Sequence, residues 1–184
     1  MRPHLILCCL CISHLLYSQP ALPEFGTNTG EEINLKECSF DKNAGAVVLF
    51  DYAVSDHDDD WRLLTHRRIK IKILDQREAD QGTIRIRFYS KDKFEYIDNI
   101  RGITTNYDNG QFRTSALDKK TIFIEKEDNI WSSLKFAMPN VKAGSIIEYE
   151  YDSYKQHYGG LFPWRFQNEI PTLKSCYLLT ILPG

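Results

Sequence analysis

Two residues near the end of the chain have side chains that could support covalent catalysis. Cys176 and His157 could form the thiol–imidazole pair of a nucleophilic enzyme if the fold brought them together. Catalytic cysteines usually lie beside a helix N-terminus or a cation that stabilises the thiolate. Cys176 instead begins an apolar run that is typical of a β-strand. The sequence therefore favours a packed or disulfide-bonded Cys176 and predicts no catalytic residue.

The densest polar cluster could supply ligands to a hard cation. It consists of Asp56, His57, Asp58, Asp59 and Asp60. Carboxylate oxygens are the ligands that Ca²⁺ prefers, but this spacing lacks the glycine and the distal glutamate of a calcium-binding loop. Such a charged run is usually a solvated turn. We expect no metal site and no cofactor.

An aromatic segment at residues 154–167 is the best candidate for a binding surface. Its candidate residues are Tyr154, His157, Tyr158, Phe162 and Trp164. Exposed aromatic planes can stack on sugar rings or anchor a protein partner. The alternative is that Trp164 and Phe166 cover one end of a hydrophobic core.

The N-terminus predicts export from the cell. Arg2 precedes an apolar run at residues 5–16, which is too short to span a bilayer, and Ser18 is a small residue at its end. This pattern is typical of a signal peptide over residues 1–18, with an uncleaved anchor as the alternative. We therefore expect a periplasmic or extracellular protein with no membrane span after cleavage.

Charge and cysteine content restrict the partners of the mature chain. The full chain has a net charge of −2, and loss of Arg2 with the signal peptide makes it about −3. Basic residues do not cluster, so no nucleic-acid partner is expected.

Cys38 and Cys176 remain in an oxidising compartment, where they could form a disulfide or stay two separate small hydrophobic residues.

The rest of the chain predicts the strands that must position these residues. Residues 19–37 are rich in Pro, Gly, Thr and Glu, which predicts a flexible lead-in. Residues 38–184 predict one domain with strands at 46–52, 62–74, 83–89, 96–107, 111–115, 121–126, 132–138, 145–154 and 173–182.

In the segment 62–74, isoleucines alternate with Arg68, Lys70 and Lys72, so we expect one buried face and one solvated, charged face. Arg85 and Arg87 predict a similar cationic outer face for the next strand.

Two turns are predicted between these strands. Asn109-Gly110 is the preferred pair for a type I′ hairpin and would place Tyr107 opposite Phe112. Residues 131–154 are interpreted as a second hairpin, whose connection PNVKAG contains turn-forming residues. No segment shows a helical stripe over three turns. The fold class is therefore all-β, an antiparallel two-sheet sandwich of about eight to ten strands.

Several blocks, in order, resemble one family. The segment LKFAMPNVKAGSIIEYEY (134–151) resembles the most recognisable block of domain of unknown function 3857, an exported bacterial module. The other similar blocks are AGAVVLFDY (44–52), HRRIKIKIL (66–74), LDKK (117–120) and PWRFQNEIPTLKSCYLLTILP (163–183). The resemblance covers residues from about 38 to the end of the chain. It implies an immunoglobulin-like β-sandwich that is not itself catalytic and that precedes a transglutaminase-like domain with a Cys-His-Asp triad.

Three functional hypotheses follow. The first is a non-catalytic exported module that positions or regulates a downstream transglutaminase-like domain, or docks another exported protein. The second is a carbohydrate-binding module that uses the aromatic segment 154–167. The third is that the chain, which stops at a turn-forming Pro183-Gly184, is the front end of a longer cysteine-dependent enzyme or peptidase.

Overall fold

The described residues fold as a sandwich of two β-sheets with nine strands. The structure, a computed structural model, describes residues 22–156 and 163–181. The strands are β1 (Ala46–His57), β2 (Leu63–Ile73), β3 (Thr83–Tyr89), β4 (Glu95–Asp108), β5 (Gln111–Ala116), β6 (Phe123–Lys126), β7 (Trp131–Ala137), β8 (Ile146–Lys155) and β9 (Ser175–Leu179). A five-residue helix, α1 (Gly30–Asn34), precedes them, and short 3₁₀ turns lie at Gln76–Gly82, Lys91–Lys93 and Lys119–Thr121.

The two sheets differ in width. The larger sheet has the strand order β5-β4-β8-β2-β1-β9, and the smaller sheet has the order β3-β7-β6. Every paired neighbour is antiparallel except β9, which runs parallel to β1. The predicted two-sheet, all-β sandwich of eight to ten strands is therefore confirmed, with one parallel pair at the edge of the larger sheet.

The predicted hairpin at residues 131–154 is wrong in its pairing. Its two strands exist, but β7 pairs with β3 and β6, whereas β8 pairs with β2 and β4. The residues between them cross from the smaller sheet to the larger one. Asn140 and Gly144 have φ values of 53° and 87°, so they do form the turns that their residue types predict. Turn residues report a local change of direction, and they do not report which strands pair.

The Asn109-Gly110 hairpin is confirmed. The two residues have φ values of 51° and 78°, as a type I′ turn requires. Tyr107 lies opposite Phe112, and their ring centroids are 4.8 Å apart.

The core lies between the sheets, where the predicted apolar faces meet. The larger sheet contributes Ile69, Ile71, Ile73, Ile147 and Tyr149, and the smaller sheet contributes Ile84, Ile86, Phe88, Leu134 and Phe136. The prediction that the isoleucines of β2 and the apolar residues of β3 face the core is confirmed. Arg85 and Arg87 of β3 are half-exposed on the opposite face, also as predicted.

The outer face of β2 differs from its prediction. Arg68, Lys70 and Lys72 are buried rather than solvated. Strand β8 places Glu150 opposite Arg68 and Glu148 opposite Lys70. Since a buried charge is costly unless it is paired, these groups form a compensated charge layer.

Residues 22–37, here called the N-terminal strap, cover this charge layer. The described part of the predicted flexible lead-in is therefore a folded element. Lys70 Nζ donates to the carbonyl oxygen of Thr27 at 2.6 Å and to Glu32 at 3.1 Å. Thr29 and Glu32 also form a capping box at the start of α1. Composition alone predicted flexibility because the polar partners of the strap come from strands far along the chain.

The predicted signal peptide at residues 1–18 lies outside the described residues. In the part of the chain that the structure describes, no helix is long and apolar enough to cross a membrane.

Candidate functional site

A bulge in β1 directs an acidic side chain into the interior. The register with β2 shifts between Val48 and Phe50, so both Val48 and Asp51 face the inner side of the larger sheet. Asp51 is only 1% exposed. Arg67 of β2 binds it with two parallel hydrogen bonds, from Nε at 2.9 Å and from Nη2 at 2.6 Å. This bidentate geometry compensates the buried carboxylate.

Arg67 also forms part of an aromatic stack. Its guanidinium carbon lies 4.8 Å from the centre of the Trp164 ring. Trp164 in turn stacks on Tyr177 of β9, with centroids 5.0 Å apart and ring planes 11° apart. The indole Nε1 donates to Ser175 Oγ at 2.9 Å, which fixes the ring in place. Trp164 is therefore held on three sides, by a cation, a ring and a hydrogen bond.

Beside this stack, a cleft of about 630 Å³ opens between the two sheets. Its size is within the range of small-molecule and peptide sites. The floor consists of residues from β1, β2 and β8, one wall is β3, and the other wall is the segment 165–170. Four arginines line the cleft: Arg67, Arg85, Arg87 and Arg165. Two carboxylates, Asp51 and Glu169, line it as well.

The wall formed by β3 carries a fixed ion cluster. Glu127 accepts hydrogen bonds from Arg85 Nη2 at 2.5 Å, from Arg87 Nε at 2.9 Å and from the Ser133 hydroxyl. The Ser133 and Arg85 hydrogen bonds, together with the charges, lower the pKa of Glu127 to about 2. Two guanidinium groups thus share one carboxylate at the rim of the cleft.

The phenols and the arginine on the cleft floor are held in one protonation state. Burial raises the pKa of Tyr149 and of Tyr151, and the charge of Arg67 only partly offsets this. Burial lowers the pKa of Arg67, but Tyr151 and the Asp51 carboxylate outweigh that effect and raise it. At neutral pH the arginine is therefore charged and both tyrosines are neutral.

The predicted aromatic surface is not one surface. Tyr154 lies on the outer face of the larger sheet and stacks on Tyr96, with centroids 4.7 Å apart and planes 5° apart. Trp164 lies at the inner face with Arg67 and Tyr177. Tyr154 and Trp164 are therefore on opposite sides of the larger sheet, which separates them. The other three candidates, His157, Tyr158 and Phe162, lie outside the described residues.

Among the described residues, the two cysteines, Cys38 and Cys176, are both free thiols. Cys38 is buried, and Cys176 is half-buried on β9. The structure therefore corresponds to the alternative of two separate cysteines rather than a disulfide. Cys176 lines a second groove, of about 790 Å³, between the N-terminal strap and the edge formed by β1 and β9. His157, the residue that could form a thiol–imidazole pair with Cys176, lies outside the described residues.

The acidic cluster forms the end of β1 and a tight turn. One Asp58 oxygen accepts from the backbone N–H groups of Asp60 and Arg62, each at 3.0 Å, and the other accepts from Arg62 Nε at 2.8 Å. These bonds outweigh the effect of burial and lower the pKa of Asp58. Within residues 22–156 and 163–181, no three His, Cys, Asp or Glu side chains are arranged to hold a metal ion.

No sequence pattern singled out Asp51 or Arg67, the paired residues on the floor of the cleft. Both residues lie in segments that were predicted to be strands, and the charged outer face predicted for 62–74 contains Arg68, Lys70 and Lys72 but not Arg67. One signal was available, because an aspartate inside a run such as VVLFDY needs a buried partner if that strand is central. The bulge that turns it inward leaves no signature in the alternation.

Comparisons with known proteins find one similar structure and no sequence match. No protein-family model matches the chain, and no curated protein matches it. Among solved structures, the chain is similar to a proposed protease from Parabacteroides distasonis, with a TM-score of 0.53 and 12% sequence identity over 65% of this chain. The chain covers 24% of that protein's length. At this identity the likeness shows a shared fold, over a part of a longer protein.

Proposed function

We propose that this chain is a non-catalytic, exported β-sandwich module that docks onto a partner and positions it. The foremost candidate partner is a transglutaminase-like catalytic domain downstream in the same protein, and another exported protein is the alternative. The observation that carries the proposal is the state of the titratable groups in the cleft.

Those groups suit binding better than proton transfer. A general acid or base works best with a pKa near the operating pH. The pKa of Glu127 lies at about 2, and the pKa values of Tyr149 and Tyr151 are raised above their already high ordinary value. Fixed guanidinium groups and neutral phenols recognise a ligand without exchanging protons with it.

Two further observations support the choice of partner. The blocks at residues 44–52, 66–74, 117–120, 134–151 and 163–183 resemble domain of unknown function 3857, which precedes transglutaminase-like domains. The structural neighbour is a proposed protease, and this fold accounts for about a quarter of its length. An accessory domain joined to a catalytic domain is the arrangement that both observations support.

The experiment has two steps. The reading frame beyond codon 184 is sequenced first, and we expect an open frame that encodes Cys, His and Asp residues in order. The encoded domain is then expressed separately and mixed with the present chain. We expect co-purification and mutual protection from limited proteolysis. A stop codon at position 185, or two domains that neither bind nor protect each other, would contradict the choice of a downstream catalytic domain as the partner.

A second candidate function is glycan binding, and a specific observation favours it. Tyr96 is 40% exposed, and it stacks on Tyr154 beside Asn99, whose amide donates to Asp152 at 2.7 Å. An aromatic plane next to amide and carboxylate groups matches the two kinds of surface on a sugar ring. Isothermal calorimetry with soluble glycans would show heats that Tyr96→Ala abolishes. Equal heats for the wild type and the variant would exclude this surface.

A further inference from the structure

The smaller sheet ends above the middle of the larger one and leaves a strand edge open. The larger sheet has six strands and the smaller has three. Strand β3 is at the edge of the smaller sheet, and among the described residues it pairs with β7 alone. On its other side, the backbone N–H of Thr83 donates to the Asp80 carbonyl oxygen and that of Tyr89 donates to Glu95 at 2.9 Å. The open part of this edge is therefore the segment 84–88, whose backbone can pair with a further strand.

The cleft lies beside this open edge and has the shape of a missing strand. Alternate residues of β2, Arg67, Ile69 and Ile71, line its floor. They span about 13 Å at the usual rise of a strand, which is the length of four or five extended residues. The β3 residues 85–87 line the cleft in sequence, so the opening follows the direction of the strand.

The two faces of such an added strand would meet different chemistry. On the outer face its side chains would lie beside Arg85 and Arg87, because residues on adjacent strands pair on the same face. On the inner face they would lie over Ile69, Ile71 and Tyr149. The matching sequence therefore alternates acidic and apolar residues.

Glu127 already shows how a carboxylate binds at this rim. It contacts both Arg85 and Arg87, the groups that an incoming acidic side chain would use. Arg85 and Arg87 carry two positive charges and Glu127 carries one negative charge. The charge balance therefore leaves room for a second carboxylate. A second copy of β3 would instead bring arginine against arginine and be repelled.

We propose that this cleft binds an extended peptide segment of a partner protein, in which acidic and apolar residues alternate, and that the segment adds to β3 as a fourth strand. The inference rests on the proposed docking function and specifies its surface. The proposed ligand is an acidic strand. The test described next also shows whether a basic strand binds instead.

The test is an NMR titration of the full ¹⁵N-labelled chain with defined peptides. The probe is a capped six-residue peptide of alternating glutamate and valine. Its controls are the same peptide with lysine in place of glutamate, and a version with alternate backbone N-methylation. We expect the acidic peptide to shift the amide signals of Thr83–Tyr89, and both controls to bind at least about tenfold more weakly.

Matched variants separate ion pairing from general damage. The double variant Arg85→Gln and Arg87→Gln should weaken acidic-peptide binding about tenfold. Glu127→Gln should strengthen it by about threefold, because the change releases both guanidinium groups; loss of a merely structural contact would not raise affinity. Arg101→Gln is the control, since Arg101 pairs with Glu150 on the outer face of the larger sheet. The ¹⁵N spectrum of each free variant verifies its fold.

Three results would overturn the inference. They are equal binding of the acidic and lysine peptides, equal binding by Glu127→Gln and the wild type, and binding that leaves the β3 amides unshifted. Failure here is distinguishable from failure of the proposed function. If the catalytic domain binds but the peptide does not, docking occurs elsewhere; if the peptide binds but the catalytic domain does not, the partner is another exported protein.

Discussion

Lys70 and Glu148 lie directly opposite each other on β2 and β8, and both are buried, at 0% and 1% exposure. Lys70 Nζ is 3.9 Å from the Glu148 carboxylate, which also accepts a hydrogen bond from Arg68 Nε. Burial raises the pKa of Glu148, and the charges of Arg68 and Lys70 oppose that rise. The charged face of the larger sheet is thus an internal layer beneath the N-terminal strap.

Removing the charge of Glu148 should be strongly destabilising. Glu148→Gln leaves Arg68 and Lys70 buried with less compensation, and we expect a loss of about 3 kcal/mol in the free energy of unfolding, measured with urea. Glu125→Gln is the control. Glu125 is half-exposed and pairs with Lys135 at the surface, so its loss should cost less than about 1 kcal/mol. Similar costs for both variants would contradict a buried charge layer.

The pKa of Glu127 predicts a pH dependence of stability. Its pKa is lowered from 4.5 to about 2 in the folded protein, so the folded state favours the ionised carboxylate. This contribution is fully present above the unfolded value and is lost as the pH falls from about 4.5 towards 2. The stability difference between the wild type and Glu127→Gln should therefore shrink over that interval. A carboxyl ¹³C titration of Glu127 with a midpoint near 4.5 would refute the ion cluster with Arg85 and Arg87.

Trp164 should act as a structural residue beside the cleft. Trp164→Ala removes the stack on Tyr177 and the hydrogen bond to Ser175, and we expect a loss of about 2 kcal/mol in the free energy of unfolding with the fold retained. Phe166 is 61% exposed, so Phe166→Ala should change this free energy by less than about 0.5 kcal/mol. Thermal melts followed by near-ultraviolet circular dichroism provide the measurement. A Trp164→Ala protein as stable as the wild type would mean that the ring is merely a surface group.

Calcium should leave the stability unchanged. The Asp58 oxygens already accept hydrogen bonds from Arg62 and from the backbone of Asp60, which closes the turn without a cation. We expect the same midpoint of thermal unfolding in millimolar calcium and in chelator. A rise with calcium that Asp58→Asn removes would restore the metal hypothesis.

Local chemistry made much of the fold predictable. The Asn109-Gly110 turn and the buried isoleucines of β2 and β3 follow from backbone preferences and from period-2 alternation, which act within a few residues. The pairing of β7 and β8 with different strands depends on contacts distant in sequence. No local pattern in residues 131–154 distinguishes a hairpin from a crossing between sheets.

The least predictable features were those that combine distant charges. Arg68, Lys70 and Lys72 alternate with isoleucines, as residues of a solvated face would, and only the strap and β8 make them internal. Asp51 and Arg67 meet because of one bulge in β1. Charged and apolar residues alternate in the same way whether the charged face of a strand is exposed to solvent or is covered and ion-paired. The sequence pattern therefore could not distinguish the two cases.

We propose above all that this chain docks onto a catalytic domain through the open side of the sandwich, beside β3. The most direct measurement is hydrogen–deuterium exchange of the full chain, alone and with the separately expressed catalytic domain that we propose as its partner. The account predicts slower exchange in β3, Thr83–Tyr89, and unchanged exchange in the distant β5, Gln111–Ala116. Unchanged exchange in β3 at concentrations that saturate the complex would contradict it.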